Sequence, residues 1–148
     1  MEVRIATVDD LDALVPLFDD YRQFYKFPSD RAGGQSFLQA RFDDKDSVIF
    51  IAIADGEAVG FMQLYPSYSS ARMARVFILN DLFVTPDTRR CGAGRALLVA
   101  ARTYGETNGA VRLTLSTATD NHMAQSLYEA MGWMRDTVFY AYNLALNT

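Results

Sequence analysis

The chain has 148 residues, half of them hydrophobic and 13% aromatic, with a formal net charge of −4. That is enough apolar material for one globular domain, residues 1–148, and too acidic a balance to favour nucleic acid, whose binding relies on Lys and Arg neutralising phosphates. A single cysteine, Cys91, excludes an internal disulfide and a cysteine-based metal cage, which suits a reducing cytoplasm and a protein without metal.

Met1 to Ala6 lacks the long apolar run of a signal peptide, and no stretch reaches the ~20 apolar residues of a membrane span, so no membrane partner is expected. Val3–Ala6 reads as a short first strand. Thr7 opens a capping turn, with Asp9 and Asp10 placed where negative charge suits a helix start. Leu11, Leu14, Val15, Phe18, Tyr21 and Tyr25 then trace one helix face to about residue 26. Pro28-Ser29-Asp30 ends that helix and starts a second, which carries Phe37, Leu38, Arg41 and Phe42. Between the two helices lie Asp19, Asp20, Tyr21 and Tyr25, a mixture of acid and aromatic rings that can recognise an organic cation. The same residues also read as an aromatic core with solvated acids.

Ser47–Ile53 is a continuous apolar strand, Asp55-Gly56 a two-residue hairpin turn, and Val59–Tyr65 the returning strand, ended by Pro66. Ser67–Ser70 reads as a loop and Met73–Val84 as the next strand. Thr85-Pro86-Asp87 stops it, and a helix follows over residues 94–108. Val111, Leu113 and Leu115 alternate as a further strand. Asp120 or Asn121 caps another helix, closed by Gly132. Val138, Tyr140, Tyr142, Leu144 and Leu146 alternate as a closing strand. The sum is an α/β (α+β) fold, a mixed and mostly antiparallel sheet of about seven strands with helices on both faces.

The stretch from Asn80 to Leu98 organises the rest. An apolar strand enters it, an Arg- and Gly-rich turn follows, and a helix leaves it. Free amide N–H groups and the positive end of a helix dipole suit such a turn to phosphate. The Walker pattern fails for want of Gly-Lys-Ser/Thr. The dinucleotide pattern fails because Leu97 stands at the third glycine position and no acid follows about 20 residues on. What remains is Arg89-x-x-Gly92-x-Gly94.

With this pattern, Val84–Leu98 resembles the acetyl-CoA-binding segment of the GCN5-related N-acetyltransferase (GNAT) family, Gln/Arg-x-x-Gly-x-Gly/Ala. A second segment, Asn121-His122-Met123-Ala124-Gln125-Ser126-Leu127-Tyr128-Glu129-Ala130-Met131-Gly132-Trp133, resembles the family's later motif, Asn-x-x-Ala-x-x-Leu-Tyr-x-x-x-Gly-Phe/Trp. The resemblance spans Met1 to Leu146. It implies an acyltransferase, an N-acetyltransferase with acetyl-CoA as donor co-substrate and an amine acceptor, either a small molecule or a protein. It also implies strands that splay beside the cofactor so that pantetheine slots between them, and a homodimer paired through the closing strand. In pattern the chain is nearest the HPA2-like branch that acetylates polyamines and histones. A coenzyme A-binding module without catalysis, or an interaction protein using the Tyr-rich face of the first helix, are the alternatives.

The resemblance assigns Leu82, Phe83 and Val84 to pantetheine, and Arg89, Arg90, Cys91, Gly92, Ala93, Gly94 and Arg95 to the pyrophosphate, Cys91 at a variable position. Near Leu82 it expects a strand bulge whose N–H bonds the thioester carbonyl. Tyr128 matches the family's general acid close to the cofactor sulfur, although helix spacing also permits a core ring. Asn121 matches a cofactor contact, although a helix cap explains an Asn equally well. A base is also needed, because a lysine-like amine has a pKa of about 10.4 and is almost wholly protonated at neutral pH. Asn80-Asp81 interrupts a strand otherwise apolar on both faces, where an ionisable group is expensive unless used or paired. Asp81 is therefore the candidate base, with a structural Asp as the alternative. Where the polyamine enzymes have Leu-Glu-Asp-Phe-Phe-Val, this chain has Leu79-Asn80-Asp81-Leu82-Phe83-Val84. Their glutamate falls on Asn80, which cannot act as a base. Tyr21, Tyr25, Asn80 and Asp81 are the expected acceptor-binding residues.

Overall fold

A computed structural model describes residues 1–88 and 91–147. The expected pyrophosphate residues Arg89 and Arg90 lie outside the described residues. The described chain falls into two compact units, Met1–Ser116 and the residues from Thr117 onward. Among the described residues no helix is long and apolar enough to cross a membrane.

The first unit contains β1 (Glu2–Ile5), α1 (Leu11–Phe24), α2 (Arg31–Asp44), β2 (Val48–Ala54), β3 (Glu57–Ser69), β4 (Ala74–Val84), α3 (Ala93–Thr107) and β5 (Arg112–Thr114). The strands form one five-stranded sheet in chain order, antiparallel throughout except for the parallel pair β4–β5. The sheet thus has five strands where about seven were expected. A parallel pair needs a long crossover, and α3 supplies it.

Local chemistry explains how each element starts. Thr7 and Asp10 form a reciprocal capping box at the 3₁₀ turn ahead of α1. The Arg4 guanidinium donates twice to Asp10, both bonds 2.8 Å, so the same acid ties β1 to the helix start. The Asp30 side chain caps α2 by accepting from the Gly33 amide at 2.9 Å. Asp55 and Gly56 both take positive φ, the conformation a tight two-residue hairpin requires.

Strand alternation divides the core between the two faces of the sheet. Ile49, Ile51, Phe61 and Phe83 pack with Leu14, Phe18 and Leu38 of α1 and α2. On the other face Tyr104 of α3 meets Phe50 and Phe77 edge-on, at 5.7 and 5.4 Å between ring centres. Leu97, Leu98 and Ala101 are buried on the same helix. Each fully buried side chain of Leu or Phe size contributes roughly 1.5–3 kcal/mol. Gly60 allows the closest backbone approach, since a Cβ there would stand 2.8 Å from the Phe83 carbonyl oxygen.

Two expectations are corrected in the strands. β3 does not end at Pro66 but runs on to Ser69, so the expected loop at Ser67–Ser70 is largely strand. The β2 ladder stops at Val48↔Leu64, which leaves Pro66 on an edge where its missing N–H breaks no bond to β2. The closing strand over Val138–Leu146 does not form: residues 138–146 take no regular structure. Alternation specifies a strand only when a neighbour completes its ladder. Here the Asp136 carboxylate instead accepts from the Val138 and Phe139 amides, at 2.8 and 3.0 Å, and turns the chain where the strand would begin.

Candidate active site

Asp81 lies on the face of β4 that is turned toward α1. It is only 3% exposed, and its cross-strand partner on β3 is Gln63, which is fully buried. The register shifts between Gln63↔Asp81 and Leu64↔Leu79, so Asn80 is the extra residue of a β-bulge. The bulge was expected near Leu82 and falls two residues earlier. The Tyr21 hydroxyl donates to the Asn80 carbonyl at 3.1 Å.

No cation holds the Asp81 carboxylate among the described residues; neutral groups do. Gln63 Nε2 donates to Oδ2 and Asn80 Nδ2 to Oδ1, the latter at 2.8 Å. Ser47 in turn donates to Gln63 Oε1 at 2.7 Å, which fixes the amide the right way round. Burial pushes the Asp81 carboxyl above the usual carboxylate range, and the bonds from Gln63, Asn80 and Tyr21 only partly offset it. Gln63 and Ser47 were not picked out in the sequence. The signal was available, because Gln63 is a polar residue in the apolar run Phe61-Met62-Gln63-Leu64.

Asp81 opens into a cavity of about 240 Å³. Tyr21, Tyr25 and Asn80, all expected acceptor-binding residues, line it with Asp81. Phe18, Phe27, Phe37 and Tyr65 add further rings, and Arg22 a guanidinium. Tyr21 stands edge-on to Tyr25 at 5.2 Å and to Phe61 at 5.6 Å, so packing sets its ring angle. Burial, then the Asp81 charge, pushes the Tyr65 phenol up to about 12 and raises Tyr21 as well, so both stay protonated donors. Asp19 is not part of this cavity. Its carboxylate accepts from Ser29 Oγ (2.7 Å), the Asp30 amide (2.8 Å) and Gln23 Nε2 (3.0 Å), and so fixes the α1–α2 connection. The bonds from Ser29 and Asp30 hold it below the usual range.

Leu82, Phe83 and Val84 complete β4. The ladder from β4 to β5 covers only Val76–Ile78 and stops before these residues. At the start of α3, Gly92 is the N-cap in a left-handed conformation, φ +86°, and a Cβ there would meet nothing within 4 Å. The first bond of the helix runs from the Ala96 amide to the Gly92 carbonyl at 3.0 Å. Amides ahead of it, at Ala93, Gly94 and Arg95, point out of the helix end. Cys91 and Arg95 are exposed, whereas Ala93 is buried.

The second unit contains α4 (His122–Ala130). The Asn121 side chain accepts from the Ala124 amide at 3.2 Å, so its capping role is real. Gln125 anchors the preceding loop through the carbonyls of Ala118 and Thr119, at 3.0 and 3.1 Å. Tyr128 is half-buried, its ring 6.1 Å from that of Trp133, whose amide donates to the Tyr128 carbonyl at 3.0 Å. Gly132 takes φ +94°, the left-handed stop expected of it.

The sequence profile of the acetyltransferase (GNAT) family matches residues 14–133. The chain belongs to the GNAT family. It is 50% identical over 144 residues to the uncharacterized N-acetyltransferase YhfO of Bacillus subtilis, with 97% of each chain covered. A crystal structure of a probable acetyltransferase superposes with a TM-score of 0.95 at 41% identity, covering 100% of this chain and 99% of the other. Two relatives at 30% identity have unlike acceptors in their names. One is an aminoglycoside N(6')-acetyltransferase type 1 of Salmonella typhimurium, aligned over 69% of this chain and 70% of its own. The other is the D-amino-acid N-acetyltransferase HPA3 of Saccharomyces cerevisiae, aligned over 90% and 85%. No acceptor branch of the GNAT family is singled out by these likenesses.

As a GNAT protein the chain is an acyltransferase, of a family that generally uses acetyl-CoA as donor. Acyl transfer to an amine needs a base for the amine, donors for the developing oxyanion and a proton for the leaving thiolate. In the first unit the geometry brings together a buried carboxyl with a raised pKa, a strand bulge beside it and an aromatic cavity. The outward amides of a glycine-capped helix offer a place for phosphate.

Proposed function

We propose that this chain transfers the acetyl group of acetyl-CoA to a primary amine, which attacks the thioester directly. The observation that carries this reading is Asp81, buried against an aromatic cavity and joined by no ion pair among the described residues. The ammonium of the acceptor enters between the rings and gives one proton to Asp81. The free amine then attacks the thioester carbonyl carbon. The C–S bond breaks, Tyr128 protonates the departing thiolate and is restored by the nitrogen's second proton, and the proton held by Asp81 passes to solvent. The balance is one amide, one free thiol and one released proton. Backbone at Leu82–Val84 holds pantetheine, residues 89–95, the outward amides of Ala93, Gly94 and Arg95 among them, hold the pyrophosphate, and Asn121 contacts the cofactor while capping α4. We read both units as one domain, since the family match runs across them, and the enzyme as cytoplasmic.

The decisive experiment follows free-thiol release from acetyl-CoA against a panel of polyamines, small amines, amino acids and lysine peptides. An amine-dependent rate supports the reading. Coenzyme A binding without transfer to any amine would return the chain to the status of a non-catalytic binding module.

Gly92→Asp tests the pyrophosphate assignment. It sets a side chain and a like charge at the mouth of the turn, at a φ that side chains adopt with strain. Calorimetry should show coenzyme A binding falling by at least about 100-fold, the effect of losing charge-assisted bonds to phosphate, with the fold intact. Unchanged affinity would remove the turn from the site.

A homodimer is also proposed. Val138, Phe139, Tyr140, Tyr142, Leu144 and Leu146 are all 79% or more exposed. A run of large apolar side chains of this kind marks an interaction site, and pairing with a second copy would complete the ladder that the alternation calls for. Light scattering at micromolar concentration should give twice the chain mass, and Tyr140→Glu with Tyr142→Glu should halve it. A strictly monomeric wild-type protein would end the idea.

A further inference from the structure

We infer that the acceptor is an amine bearing its own carboxylate, an apolar amino acid, with its ammonium on Asp81 and its carboxylate on Arg22. The inference rests on the acceptor-cavity reading above and narrows it. Asp81 and Arg22 line the same cavity. Among the described residues Asp81 is held by neutral groups only, and Arg22, though close enough for its charge to act on Asp19, forms no direct ion pair. Arg22 is half-buried, donates one N–H to the Pro28 carbonyl at 2.9 Å, and stacks over the Phe27 ring at 5.6 Å. Among the described residues it joins no ion pair, and neither does Asp81. The cavity therefore carries one carboxyl, one guanidinium and aromatic walls, the complement of a zwitterion with an apolar side chain.

Other charges nearby are already engaged. A polyamine or an aminoglycoside would call for further carboxylates, yet the other buried one among the described residues, Asp19, spends its oxygens on Ser29, Asp30 and Gln23 and pairs with Arg31 at 3.9 Å. Arg41 is paired with Asp46 at 3.1 Å and stacked on Phe37. Size points the same way, because about 240 Å³ falls short of the roughly 300–1,000 Å³ of pockets for drug-sized ligands. A guanidinium with nitrogens to spare presents the planar fork that matches a carboxylate. An internal lysine of a protein brings no such group.

The test uses the full chain and matched pairs: D- and L-phenylalanine against 2-phenylethylamine, and D- and L-leucine against 3-methylbutylamine. At least one enantiomer of each amino acid should exceed its decarboxylated partner in kcat/KM by about 10- to 100-fold, the range of a hydrogen bond to a charged group. The difference should lie in KM, as for an interaction made equally in the ground and transition states. Arg22→Gln should abolish the preference, and Arg22→Glu should reverse it toward the simple amine. A reversal cannot come from a damaged fold. Equal rates within each pair in the wild-type enzyme, or an equal loss for both partners in Arg22→Glu, would overturn the assignment while leaving acetyl transfer to amines in place. If no amine at all is acetylated, the acetyltransferase reading fails and this inference fails with it.

Discussion

Asp81→Asn lowers turnover about 10²- to 10⁴-fold near neutral pH, the usual share of general base catalysis, while the protein keeps its fold. The expectation comes from the carboxyl's environment. It is buried and lies between donors from Gln63 and Asn80, with no cation among the described residues to repay its desolvation. An amide has nearly the same shape and carries no charge to desolvate; it keeps the Gln63 bond through its oxygen but turns its NH2 toward the Asn80 donor, so that the Asn80 bond is lost. The base and one hydrogen bond are lost, and the removed desolvation of the charge offsets that bond. Turnover of the variant should recover in part at high pH, where the amine deprotonates itself. A flat loss across pH, or a variant that unfolds, would mark Asp81 as structural.

The same group predicts a pH dependence of stability. Its folded pKa lies above the unfolded value of about 3.9, so the folded state binds the proton more tightly. Stability from this group is greatest below the unfolded pKa and falls as pH rises through the folded one. Each unit of elevation corresponds to about 1.4 kcal/mol. Denaturation of wild type and Asp81→Asn should therefore diverge from about pH 4 upward in favour of the variant, then run parallel above the folded pKa. Divergence in the opposite sense would mean that the charged carboxylate is stabilised.

What could be read from residues alone was whatever carries its own local physics. Thr7 and Asp10, Asp30, and Asp55-Gly56 dictate a helix start or a turn within four residues, and each stands where expected. Asp81 was legible because charge in an apolar strand demands a reason, and Tyr21 and Tyr25 because four-residue spacing puts both on one helix face. Features that depend on a distant partner were not legible. Pro66 is tolerated because β2 ends beside it, which no reading of β3 could supply. The bulge at Asn80 is a register between two strands and leaves no mark in either one. Arg22 carries no signal of its own in the sequence; Phe27 and the Pro28 carbonyl fix it at the cavity wall. The alternation at 138–146 is sound, but a strand needs a neighbour as well as a pattern.

Tyr128→Phe should lower turnover by about 10²-fold, the lower end of the general acid range, and leave acetyl-CoA affinity nearly unchanged. The proposal that Tyr128 is the acid rests on its place in the Asn121–Trp133 motif. The structure adds that its ring is half-buried and packed beside Trp133, not sealed in a core. The substitution removes one hydroxyl and keeps the ring, so the Trp133 contact and the helix survive. A thiolate is a fairly stable leaving group and water can stand in for the acid, which is why the lower end is expected. Single-turnover chemistry must be measured along with the steady-state rate, since slow product release would mask a slower proton transfer. Loss in both, with unaltered thermal denaturation, identifies the hydroxyl as the proton donor. A wild-type single-turnover rate in Tyr128→Phe would leave the ring as packing and move the thiolate's proton to solvent.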